Sequence, residues 1–138
     1  MNFSAEERLV RASLRVAMHI RGLWEEKGSS DTRLLEALLL PDELTVVGRS
    51  KLAKSRPCRE HVVPRLVVIH ECHEMLKNGA SDEAVAQVIR DNTKIVLISK
   101  EERDVLDRAL SLRQTMPQGW KFGDDPFARL KAAKIEWS

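Results

Sequence analysis

The chain has 138 residues, a length suited to one domain or to one domain with a helical extension. Apolar residues make up 43% and charged residues 32%, so a core can form and a wholly disordered chain is excluded. The formal net charge is only +2, which excludes a uniformly basic surface and leaves any polyanion site to a local cluster.

Ser4-Ala5-Glu6-Glu7 is a capping box, in which the serine caps the helix start and Glu7 reaches back to its backbone N–H. Leu9, Ala12, Val16, Ile20 and Leu23 follow at helical spacing, predicting a helix over about 4–27 that Gly28 stops. Asp31 or Thr32 can cap a second helix through Leu34, Leu35, Leu38 and Leu39, closed by Pro41. Leu44 to Val47 reads as a short strand, and Glu60 to Val63 as another ended by Pro64. Leu66 to Lys77 reads as a helix closed by Asn78-Gly79, and Ser81 caps the next, with Ala84, Val85, Val88 and Ile89 as its apolar face. Lys94 to Ile98 is strand-like. Ser99-Lys100-Glu101-Glu102 is a second capping box, opening a helix through Leu106 and Leu110. A short helix is expected over 125–131, with Trp120 and Trp137 fixing an irregular tail onto the domain.

No run reaches transmembrane length, acids stand at Glu6 and Glu7, and no small-residue cleavage site follows them. Two cysteines, Cys58 and Cys72, are too few for a disulfide framework. A cytoplasmic protein with no membrane partner is therefore expected.

Between Gly48 and Arg65 lie Arg49, Lys51, Lys54, Arg56 and Arg59, with Glu60 the only acid. Such a cluster suits a polyanion, although a basic loop is more often simply solvated. What singles this one out is that it runs into Arg59-Glu60-His61-Val62-Val63-Pro64, an acid directly before a histidine at the end of a β-branched run. Hydrolysis of a phosphodiester needs a general base for water and a divalent metal to hold the phosphate and leaving oxygen. Acid-then-histidine supplies the base and a ligand for the metal, provided the backbone bends to bring neighbouring strand residues to one site.

These residues, with Asn92, then Val96-Leu97-Ile98-Ser99 and the helix after it, resemble the HNH, or ββα-metal, nucleases over about 59–110. The resemblance implies an α+β fold. Its parts would be a helical N-terminal segment (1–43), a small ββα core with inserted helices (44–112) and a C-terminal tail packed on the core (113–138). It implies a metal-dependent endonuclease acting on DNA, with Mg²⁺ or Mn²⁺ as cofactor and Zn²⁺ or Ni²⁺ as other candidates. Carried over residue by residue, Glu60 is a metal ligand, His61 the general base and Asn92 the brace of the histidine loop. Arg49, Lys51, Lys54, Arg56 and Arg59 would bind the nucleic acid.

One position departs from the family pattern. The usual ligand of the final helix falls on Arg103, and a guanidinium stays protonated and does not ligate Mg²⁺. Three expectations follow. Asp107, one turn on, can join Glu60 as a second oxygen ligand. Alternatively, Arg103 is itself catalytic, replacing the metal and contacting the phosphate as a fixed cation. Or the fold has lost catalysis and is an interaction protein of immunity or inhibitor type, binding a protein or nucleic-acid partner. A zinc site from Cys58, His61, His70, Cys72 and His73 competes with burial of Cys72, Val68 and Met75 as a core stripe, with His70 and His73 at its margin. Burial is the simpler expectation, because the spacing is wrong for standard fingers.

Overall fold

The structure is a computed structural model that describes residues 2–138. It is an α+β fold. The elements are α1 (Ala5–Lys27), a 3-10 turn (Thr32–Leu35), α2 (Asp42–Thr45), β1 (Val46–Arg49), β2 (Cys58–His61), α3 (Arg65–Lys77), α4 (Asp82–Asn92), β3 (Ile95–Ile98), α5 (Lys100–Asp104) and α6 (Ala128–Ala132). No described helix is long and apolar enough to cross a membrane.

The sheet is built around β3. Strand order is β1-β3-β2, with β1 parallel and β2 antiparallel to β3. All four residues of β3 are apolar, and Ile95, Val96 and Ile98 are buried. That is the pattern of a central strand covered on both faces. The register sets Glu60 opposite Val96 and His61 opposite Ile95. The inserted helices α3 and α4 separate β2 from β3 in sequence, and α5 leaves β3 directly through the Ser99 capping box. There Ser99 Oγ accepts from the Glu102 N–H while Glu102 Oε1 accepts from the Ser99 N–H.

Helix α1 begins at its own capping box on Ser4 and ends at Gly28, whose φ of 70° closes a left-handed cap. Ala12, Val16, Ala17 and Ile20 bury one stripe, and they share a single core with Val68, Ile69 and Cys72 of α3, Val85 and Ile89 of α4, and Leu130 of α6. The N-terminal helix and the tail thus belong to the same core as the sheet.

The short tail helix expected over 125–131 is Ala128–Ala132, the helix expected through Leu110 is α-helical only to Asp104, and three further elements differ more. The helix expected through Leu34–Leu39 is only a 3-10 turn, and Glu36 is extended. Leu35 and Leu40 are both buried at 2% exposure while Leu38 is 91% exposed. An α-helix would set Leu35 and Leu40 about 140° apart, so a tighter, broken path is what lets both reach the core. The strand expected at Leu44 starts at Val46, because Asp42–Thr45 form a helical turn after Pro41. The strand expected over Glu60–Val63 is Cys58–His61, and the buried Val62 and Val63 belong to the bend before Pro64.

The tail closes the sheet edge. Arg49 and Ser138 exchange backbone hydrogen bonds of 3.0 and 3.1 Å, and the Lys51 N–H donates to the Glu136 carbonyl at 3.1 Å. An exposed β1 edge is thereby paired. Gly48 permits the approach: a Cβ there would lie 2.8 Å from Trp137 Cδ1. Trp137 stacks on Phe127 with ring centroids 5.0 Å apart.

Candidate functional site

The end of β2, the start of α3, the α5 helix and α6 meet around a cavity of about 370 Å³. Its lining includes Arg59, Glu60, His61, Arg65, Arg103, Asp107, Arg113 and Arg129. Five arginines against two carboxylates make it a strongly basic recess in a nearly neutral chain.

Glu60 and His61 are neighbours on a strand, yet both line the cavity, because β2 ends at His61 and the chain bends at Val62. The Glu60 carboxylate is 9% exposed. Its Oε1 accepts from Arg129 at 3.2 Å and its Oε2 from Arg103 at 3.4 Å. Arg103 reaches it because the second capping box sets α5 across the end of β2, and the same Nη2 also donates to the Arg59 carbonyl at 2.9 Å. Past Asp104 the helix widens into a π turn, Val105–Ala109, and Asp107 joins the lining from there. Such π turns often mark functional sites.

Arg129, like Arg113, lines the cavity without having been singled out from the sequence. Its side chain is 1% exposed and donates to the Leu112 and His61 carbonyls at 2.8 Å, and to Glu60. Burial pulls its pKa below the ordinary arginine range, opposed by the Glu60 carboxylate. One guanidinium therefore ties α6 to the backbone of the bend and to the acid beside it. Nothing local in Phe127-Ala128-Arg129-Leu130 marks this arginine as buried.

His61 lies between these charges. Burial first, then the positive charges of Arg59 and Arg129, lower its pKa to about 4. The imidazole is thus neutral at physiological pH. Its Nδ1 is buried without a hydrogen-bond partner among the described residues, and the residue lines the cavity. Asn92, expected to brace this histidine, is the last residue of α4. Its amide instead turns back to donate to the Val88 carbonyl at 2.8 Å.

The cations of the basic loop are only partly available. Arg49 donates to the Lys54 carbonyl at 2.6 Å, Lys51 pairs with Glu136 at 2.8 Å, and Arg59 pairs with Asp42 at 2.6 Å. Lys54 and Arg56 are exposed and, among the described residues, have no ion pair. Arg65 is held by Glu36. Arg113, on the exposed segment after the π turn, lines the cavity with no ion pair among the described residues.

The donor set does not fit a divalent cation. Both Glu60 oxygens face guanidinium groups, and Asp107 is the only other carboxylate of the lining. Among the described residues no group of three or more His, Cys, Asp or Glu side chains could hold a metal ion. Two unit charges 4 Å apart near a protein surface interact by about 4 kcal/mol, and a divalent ion doubles the repulsion from each nearby arginine. The zinc alternative fares no better. Cys72 is fully buried and its thiol is pushed up to about 12, while His73 stacks on Trp24 and hydrogen-bonds Ser30 at 2.6 Å.

Comparison with protein-family models, curated proteins and solved structures finds no match.

Proposed function

We propose that the protein is an HNH-like endonuclease that hydrolyses DNA phosphodiesters at the Glu60–His61 cavity. One observation carries this reading. An acid–histidine pair ends β2 antiparallel to β3, and the following helix returns Arg103 to the acid, in a recess walled by arginines. Neutral His61 Nε2 takes a proton from water as the water oxygen forms its bond to phosphorus. The phosphorus bond to the leaving oxygen breaks, and that oxygen takes its proton from solvent. Fixed guanidiniums around the phosphate stabilise the charge that develops on its oxygens, without reorganising as it forms. Glu60 orients Arg103, and Arg129 fixes the backbone that carries His61.

A second reading is favoured by the same acid. Because Glu60 is occupied by two arginines, the recess also suits a protein that binds nucleic acid without cutting it. Plasmid nicking separates the two. Nicking by the wild type that disappears in His61→Ala, with oligonucleotide binding retained, supports the nuclease. Binding without nicking, in wild type and variant alike, supports the binding protein.

A further inference from the structure

We propose that Arg103 stands in the place of a metal ion as the clamp on the substrate phosphate, so that the cavity takes a phosphodiester without any divalent cation. This rests on the cavity being a phosphodiester site, but it concerns what neutralises the phosphate there. Only one nitrogen of Arg103, Nη2, is used within the protein, to Glu60 and to the Arg59 carbonyl. Among the described residues its Nε and Nη1 have no protein partner, and the side chain is 37% exposed. The guanidinium is therefore held at one corner while the remaining donors stay free. The always-charged guanidinium therefore meets a phosphate through its charge and through single N–H donors, Nε or Nη1, since both of its parallel donor pairs include the occupied Nη2.

Arg129 cannot share this role, because it is buried and its donors are spent on Glu60 and on carbonyls. Arg59 and Arg65 are drawn outward by Asp42 and Glu36. Arg113 is the lining arginine without an ion pair among the described residues. The cavity therefore offers two guanidiniums with free donors among the described residues, Arg103 anchored on Glu60 and Arg113 exposed, beside His61. Glu60 thereby acts as the anchor of Arg103, which explains why a carboxylate at a ligand position faces two cations.

The test uses the full chain and a fluorescein-labelled DNA oligonucleotide, followed by anisotropy in EDTA and in Mg²⁺. Plasmid nicking is read in parallel. The clamp predicts equal affinity in both buffers and a loss of about 10-fold or more in Arg103→Ala. Any nicking should persist in EDTA and fall by about 10²–10³-fold in that variant, the loss typical of removing one fixed donor from a developing charge. Arg103→Lys keeps the charge without the planar guanidinium anchored on Glu60 and the Arg59 carbonyl, and should recover only part of the affinity. Circular dichroism confirms that each variant is folded. Binding or nicking that requires Mg²⁺, or that is unchanged in Arg103→Ala, overturns the clamp and leaves the nuclease reading standing. EDTA-resistant, Arg103-dependent binding with no nicking in either buffer keeps the clamp and ends the nuclease reading. Absence of DNA binding in both buffers overturns both.

Discussion

Replacing Arg129 by Met should be the most damaging single change at the site, although Arg129 need not touch substrate. The guanidinium is 1% exposed and neutralises Glu60, itself only 9% exposed. Breaking a buried ion pair by removing one partner typically costs about 3–5 kcal/mol, because the remaining charge is left uncompensated. Arg103 retains contact with Glu60 Oε2 at 3.4 Å, which places the estimate toward the lower end. The carbonyls of His61 and Leu112 also lose a donor, at about 1–3 kcal/mol for each that stays dry. A loss of about 4 kcal/mol with a urea slope of about 2 kcal/mol/M lowers the unfolding midpoint by about 2 M. Arg103→Ala, which removes a half-exposed partner, should cost under about 1 kcal/mol. The double variant Glu60→Gln/Arg129→Met should be more stable than Arg129→Met alone, since it also removes the stranded carboxylate. A midpoint shift below about 0.5 M for Arg129→Met, or no recovery in the double variant, would refute the view that this pair is the buttress of the site.

Two further outcomes follow from charge. His61 has its pKa lowered from 6.5 to about 4 on folding, so between these values the unfolded chain binds more protons and stability rises with pH. Urea unfolding should show about 2 kcal/mol less stability at pH 5 than at pH 7 from this group, and His61→Gln should flatten that slope; an unchanged slope means that the ring is not held neutral. For DNA binding, Lys54→Ala/Arg56→Ala should reduce the slope of log affinity against log salt by about 2 if each cation meets a phosphate. Adding Lys51→Ala should change it little further, because Lys51 is paired with Glu136.

The elements legible in the sequence were those with strong local chemistry. Both capping boxes, the Gly28 stop, the Ser81 cap and the apolar run of β3 each fix their own stretch of backbone, so pattern and structure coincide there. The leucine-rich stretch before Pro41 misled because helical spacing fitted four leucines, while tertiary packing rewarded a different pair, Leu35 and Leu40. Glu60, His61, Arg103 and Asp107 were singled out from order and spacing, and one cavity has all four in its lining. Asn92 ends α4 with its amide on the Val88 carbonyl, a placement that depends on where that helix stops and that no local pattern specifies. Arg129 and Arg113 were invisible for a different reason. Each reaches the cavity from the tail after the π turn, through contacts that no sequence period encodes.

The central claim is that the cavity hydrolyses a phosphodiester with His61 as the base, and side-by-side nicking of supercoiled plasmid by wild type and His61→Ala tests it most directly. The account predicts open-circular product from the wild type at pH 7. It predicts a rate about 10²-fold lower in His61→Ala, the low end of a general base's contribution because a ring with its pKa lowered to about 4 is a weak base at pH 7, with oligonucleotide affinity within about twofold of wild type. Equal nicking by both proteins, or none by either, would contradict it.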